Sequence, residues 1–216
     1  MYKEGPVRIW SALACLTCLY FSMPSGLYAA GESLSVCFDA KTDPLIRADA
    51  CTQVIDAPET LEQVRLSALL NRAAANYHAA KLEDAIRDYS KFIGAQPDNA
   101  MAFHERGLAY LKGSRFLEAI ADFSEAIRLN SKDASFYSNR GIAYTKIKNH
   151  DKALGDFDAA LKLDPWDATA LYNRSLTYFD MTEYARAIID LKNAIQIQPR
   201  NAELFNQLAW TYLQTG

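Results

Sequence analysis

Two kinds of side chain recur in this chain at a spacing that could do chemistry. Arg72, Arg106, Arg140 and Arg174 follow one another every 34 residues, and Asp88, Asp122, Asp156 and Asp190 each stand sixteen residues after one of them. Guanidinium and carboxylate in matched columns can make bidentate, charge-assisted hydrogen bonds. The eight residues are expected to be structural ion pairs, each joining the two halves of one row of 34; aspartates that simply face solvent are the plainer alternative. The second kind is the amide. Asn71, Asn139 and Asn173 immediately precede three of the arginines, and Glu105 and Gln207 complete the column. An amide donates to a backbone carbonyl and accepts from a backbone N–H, so a line of them can hold main chain whatever its sequence. Three residues further on stand Ala74, Leu108, Ile142, Leu176 and Trp210, a strip more apolar than a solvated helix face would carry.

Other chemistry is not supported. His78, His104 and His150 fall in three different columns, so stacking rows does not gather them, and no pair has the spacing of a zinc site. Gly107 and Gly141 lie in helical segments with no strand before them, which argues against a phosphate loop, and there is no nucleophile elbow. No catalytic residue, metal or cofactor is expected, and the reading is non-enzymatic. A net charge of −3 gives no field for nucleic acid, and the basic cluster at residues 146–152 is interrupted by apolar and polar side chains.

The elements that must position these columns are helices. Within each row the apolar and small residues recur at three to four, the period of a helix with one buried face. Rows aligned on Leu66, Ala100, Ala134 and Ala168 share a small column (Ala73, Gly107, Gly141, Ser175), a tyrosine column (Tyr110, Tyr144, Tyr178), an alanine column (Ala85, Ala119, Ala153, Ala187) and a large apolar column (Tyr89, Phe123, Phe157, Leu191). Pro97, Pro165 and Pro199, with Ser131 in the second row, end the rows, since proline cannot continue a helix. Each row is thus a helix pair, unable to bury its apolar face alone. Four rows fill residues 66–201 and a half row follows at 202–216.

The third row, with Tyr137, Gly141, Tyr144, Ala153, Phe157 and Pro165, resembles the tetratricopeptide repeat. The resemblance covers residues 66–216. It departs from the family in its arginine column, where leucine is usual, and with "NRGIAY" and the aspartates it resembles an exported bacterial subgroup. It implies an all-α fold, a right-handed solenoid of antiparallel helix pairs whose first helices line a concave face. The amide and apolar columns would then form one groove. Asn71, Glu105, Leu108, Asn139, Ile142, Asn173, Leu176, Gln207 and Trp210 become the candidate partner-binding residues, for an extended or irregular segment of another protein. Ordinary exposed helix residues are the competing reading of the asparagines.

Residues 1–31 differ from the rest. A weakly basic start, an apolar stretch over 9–23 and small residues at Ala29, Ala30 and Gly31 have the order of a secretory signal peptide, with cleavage near Gly31. A retained anchor is the alternative, although this mostly apolar stretch of fifteen residues falls short of the roughly 20 a spanning helix needs. The expected site is the periplasm or the outside, with no stable membrane insertion after cleavage. Beyond the leader the chain holds two cysteines, Cys37 and Cys51, an even count that reads as one disulfide in an exported chain. Residues 32–65 read as an arm and capping helix. Asp43-Pro44 starts a helix with Leu45, Ala48, Cys51 and Ile55 on one face, and Thr60 with Gln63 makes a capping box for the next. At the other end, Phe205, Leu208, Ala209 and Tyr212 are expected to cover the fourth row. Leu204 and Trp210 would face outward, which points to self-association there or to a shortened chain. The functional reading is a protein-binding scaffold; the alternatives are a self-associating structural subunit and an accessory domain of an envelope complex.

Overall fold

The computed structural model describes residues 25–215, with side chains from residue 31 onward. Its elements are α1 (Ser25–Phe38), α2 (Pro44–Asp56), α3 (Glu62–His78), α4 (Leu82–Ala95), α5 (Ala100–Lys112), α6 (Phe116–Leu129), α7 (Ala134–Lys146), α8 (His150–Leu163), α9 (Ala168–Asp180), α10 (Tyr184–Ile197) and α11 (Ala202–Leu213). No strand occurs among the described residues, and none of their helices is long and apolar enough to cross a membrane. Most of the expected leader lies outside the described residues, and α1 runs through Gly31. The chain divides into two compact units, one ending at Arg72 and the other starting at Ala73.

In the second unit each helix packs on the next, α5 on α6, α7 on α8 and α9 on α10 within rows, and α6 on α7, α8 on α9 and α10 on α11 between them. Local chemistry sets the boundaries. Asn99, Asp133, Asp167 and Asn201 each accept a backbone N–H of the helix they precede, the N-cap role of short polar side chains. At the other end the N–H groups of Arg115, Asn149 and Glu183 return to the carbonyls of Tyr110, Tyr144 and Tyr178, the closing bond of a Schellman turn. That turn needs a left-handed residue, supplied without glycine by Ser114, Lys148 and Thr182 at φ of 59°, 61° and 62°.

The core explains the columns. Phe123, Phe157 and Leu191 are wholly buried, each flanked by fully buried alanines four residues before and three after. Each fits over the small residue of its own first helix. A Cβ on Gly107 would lie 2.7 Å from the Phe123 ring, and one on Gly141 2.9 Å from Phe157. Where the small residue is Ser175, the opposing knob is the less bulky Leu191.

In the first unit α1 packs on α2. Cys37, Ala50, Cys51 and Val54 form a small core that also takes in Ala68 of α3. Asp43 caps α2 by accepting from the N–H groups of Leu45 and Ile46. Two local expectations are corrected. Leu45 is exposed, while Ala48 and Cys51 are buried as expected and Ile55 packs on the same core, and the buried stripe of α2 also takes in Arg47, Ala50 and Val54. Thr60 does not build a capping box, since α3 begins at Glu62 and the Thr60 hydroxyl donates to the Val54 carbonyl at 2.7 Å. Arg65 ties this turn down by donating to the carbonyls of Ile55, Ala57 and Thr60.

Candidate partner-binding face

The arginines come first, because they hold the candidate face in place. Arg106 donates from Nε and Nη2 to both carboxylate oxygens of Asp122 at 2.8 Å, and Arg140 does the same to Asp156. Arg174 holds Asp190 in the same bidentate way at 2.7 Å. The carboxylate hydrogen bond is the main reason that the guanidinium pKa values of Arg106, Arg140 and Arg174 are raised.

Sequence reasoning assigned each arginine to its own row alone; the structure adds a bond to the preceding row. The Nη1 groups of Arg106, Arg140 and Arg174 donate to Ser90 Oγ, Ser124 Oγ and Asp158 Oδ1. Each arginine therefore clamps three helices: its own, the second helix of its row, and the second helix of the row before. In the first unit Arg72 Nη1 donates to Thr52 Oγ1 of α2 at 3.0 Å. That helix thus supplies Arg72 with an acceptor of the kind a preceding row supplies to the later arginines.

The arginines fix the rotation of the first helices, and thereby the residues on either side. In the second unit Glu105, Asn139, Asn173 and Gln207 are half-buried, as are Leu108, Ile142 and Leu176, while Trp210 is largely exposed. Leu108 packs into the core beside Tyr110, Phe123 and Ala143. Neighbouring first helices touch along this line. Thr145 and Thr177 share a hydroxyl hydrogen bond at 2.9 Å, and Asn139 Nδ2 lies 2.9 Å from His104 Nε2. Asn173 Nδ2 donates to the Thr169 carbonyl of its own helix at 2.8 Å. In the first unit Asn71 Nδ2 likewise donates to Ser67 O. Each of these amides thus spends one N–H internally and keeps a second N–H and its carbonyl oxygen.

Two residues escaped the sequence reading. His104 was considered only as a metal ligand; it is buried between the rings of Phe123 and Phe136, at 5.7 and 4.8 Å. Its Nε2 faces the Asn139 amide, and its Nδ1 has no hydrogen-bond partner and stands 3.7 Å from Glu105. Its place next to the phenylalanine columns is the signal that could have marked it as core. Tyr172 donates its hydroxyl to Glu203 Oε1 at 2.9 Å, linking α9 to α11. Burial first, then this bond, push the Tyr172 phenol up to about 12. No cluster of metal-ligating side chains occurs among the described residues.

In the first unit the Sγ atoms of Cys37 and Cys51 stand 2.11 Å apart on Cα atoms 4.6 Å apart, and both residues are fully buried.

The sequence matches the tetratricopeptide repeat over residues 70–134, 104–168 and 139–202. The chain belongs to the tetratricopeptide repeat family. Solved tetratricopeptide structures share the fold at low identity. A tetratricopeptide repeat protein from Parabacteroides merdae is 18% identical with a TM-score of 0.75, covering 88% of this chain and 74% of its own. MamA from Desulfovibrio magneticus RS-1, residues 41 to the end, is 15% identical with a TM-score of 0.70, covering 83% and 99%. The first tetratricopeptide domain of Spaghetti (RPAP3), solved bound to the HSP90 peptide SRMEEVD, is 23% identical with a TM-score of 0.52, covering 54% and 92%. No curated protein matches. The tetratricopeptide fold is a protein–protein interaction scaffold, its stacked repeats offering an extended binding surface.

Proposed function

We propose that this chain is an exported, non-enzymatic tetratricopeptide scaffold that holds an extended segment of another protein along the first helices of its second unit. One observation carries the reading. Between the core and solvent, Asn139, Asn173 and Gln207 recur once per repeat on α7, α9 and α11 beside Ile142, Leu176 and Trp210. The two asparagines hold one amide N–H each on an internal bond and leave the remainder of the amide to spare. An amide in that state can still grip main chain, and the half-buried strip can take side chains. The peptide-bound relative supports such use of the fold. Four repeats over residues 66–201, a half repeat after them and a capping lead-in over 32–65 serve this role. The leader over 1–31 directs the chain out of the cytoplasm, where Cys37 and Cys51 form a disulfide.

The internal bond of Asn139 decides which variants test the idea. Asn139→Ala would strand the buried imidazole of His104 and disturb folding. Asn173 and Gln207 leave no buried group behind, so the test uses Asn173→Ala/Gln207→Ala. A photo-crosslinking residue placed at 176 or 210 in the cell envelope should capture a common partner, and one placed at Asp151 of α8 should not. Titration of that partner should then show the double variant weaker by one to two orders of magnitude, at about 0.5–1.5 kcal/mol per lost hydrogen bond. Capture from position 151 only, or an unchanged affinity, overturns the proposal.

A further inference from the structure

Within the second unit the first helices carry three carboxylates, Glu105 on α5, Asp180 on α9 and Glu203 on α11. Two of them are held. Asp180 takes the Lys148 ammonium at 2.6 Å, and Glu203 accepts the Tyr172 hydroxyl at 2.9 Å. Helix α11 presents Glu203 from a rotation that corrects expectation: Leu204 and Thr211 form its buried edge with Leu208 on the same cluster, whereas Phe205, Ala209 and Tyr212, expected to cover the fourth row, are exposed. Glu105 stands apart. Among the described residues no lysine, arginine or hydrogen-bond donor engages its carboxylate. His104 Nδ1 is 3.7 Å away, beyond hydrogen-bond reach, and a neutral imidazole offers no counter-charge. Lys112, further along α5, is engaged by Tyr77, to whose carbonyl it donates at 3.2 Å and over whose ring it lies at 4.6 Å.

The surroundings of this unpaired carboxylate are partly apolar. Its side chain is 36% exposed, and its charge, after burial, raises the Tyr77 phenol. Met101, four residues before, and Leu108, three after, share its helix face. Met101 is 51% exposed in a column that the later rows fill with Ser135 and Thr169. Methionine, carboxylate and leucine therefore line one face in this row, where α7 has Ser135, Asn139 and Ile142 and α9 has Thr169, Asn173 and Leu176. We propose that Glu105, between Met101 and Leu108, is a socket for a lysine or arginine side chain of the segment bound along the first helices. The socket lies within the proposed groove and depends on that reading, to which it adds the chemistry of one ligand position. A long cationic side chain lays its stem on Met101 and Leu108 and brings its charged head to the carboxylate, completing a half-buried ion pair that lacks its cation. An acidic ligand residue there would meet like charge. The register follows from the stacking. Helices α5 and α7 touch through His104 and Asn139; at about 8–10 Å between packed axes and about 3.3 Å per extended residue, the cation stands about three residues from the main chain held at Asn139 and about six from that held at Asn173.

The probe is a phage-displayed library of random peptides selected on the full chain, with the recovered peptides measured by fluorescence anisotropy. Peptides that lose affinity on the Asn173→Ala/Gln207→Ala chain occupy the groove. Among these, one position should favour lysine or arginine. Selection on Glu105→Gln should lose that preference, and selection on Glu105→Lys should replace it with aspartate or glutamate. For one groove peptide, changing its basic residue to methionine should weaken binding about tenfold on the native chain and less than about twofold on Glu105→Gln. A merely structural effect of residue 105 would not produce that coupling. Glutamine keeps the shape of glutamate, so this variant decides even where Glu105→Lys fails to fold. Groove peptides with no basic preference, or a basic preference that survives Glu105→Gln, overturn the socket and leave the groove standing. Recovery of no peptide sensitive to Asn173→Ala/Gln207→Ala overturns both.

Discussion

Replacing Arg140 by leucine tests the clamp at its centre. Arg140 makes two 2.8 Å bonds to Asp156 and one of 3.0 Å to Ser124. The Asp156 side chain is 9% exposed and that of Arg140 20%. Losing the guanidinium leaves a buried carboxylate without its two charged donors, which costs about 3–5 kcal/mol. Ser124 adds little, because its hydroxyl keeps a 2.7 Å bond to the Ile120 carbonyl. The reverse change, Asp156→Leu, should cost less, about 2–3 kcal/mol, since a partly exposed guanidinium can turn toward water. The double variant Arg140→Leu/Asp156→Leu should return to within about 1 kcal/mol of the native chain, because a well-packed apolar pair replaces a buried ion pair at little cost. Leucine is already tolerated in this column at Leu208. Urea unfolding followed by circular dichroism measures all four chains, with an unchanged slope as the condition for comparing them. A single Arg140→Leu costing under about 1 kcal/mol, or a double variant as unstable as the sum of the singles, would refute the clamp.

The glycines should divide by what a Cβ would meet. Gly141→Ala is expected to destabilise by about 1–3 kcal/mol through contact with Phe157, whereas Gly155→Ala, with nothing within 4 Å in mid-helix, should stabilise by about 0.5–1 kcal/mol; paired thermal melts compare them. Thr182→Gly should stabilise by about 1 kcal/mol, because a β-branched residue at φ of 62° is strained where glycine is not, again read in urea. The denatured, unreduced chain without its leader should show no free thiol, and reduction should cost about 3 kcal/mol in the loop-entropy account. Tyr172 ionises near pH 12 when folded and at about 10 when unfolded. Its stabilising contribution is therefore whole below about pH 10 and is lost as the pH rises to about 12. Alkaline titration of the 295 nm band, roughly the tyrosinate maximum, should show a late phenol that Tyr172→Phe removes, beside those of Tyr77 and Tyr178, which burial also raises.

Periodicity alone was enough to read the helix pairs, because 34-residue columns of alanine, phenylalanine and tyrosine repeat with helical spacing and end in proline. It was enough for the carboxylate partners of Arg106, Arg140 and Arg174 too, since aspartate recurs in step with arginine. It assigns residues to faces but does not say which neighbour each face meets. The third arginine bond depends on Ser90, Ser124 and Asp158, a column of mixed type that only the packing of α4 on α5, and of later pairs, brings within reach. Asn139 looked like Asn173 in sequence, yet only the structure sets it against a buried histidine. The end helix shows the same limit. Leu204, Phe205, Leu208 and Ala209 are all apolar and lie within about 140° of one another around a helix turning about 100° per residue. Pattern could not tell the edge that meets α9 and α10 from the edge left open. The direction from which the neighbouring helices arrive decides that, and it is a property of the stacked fold.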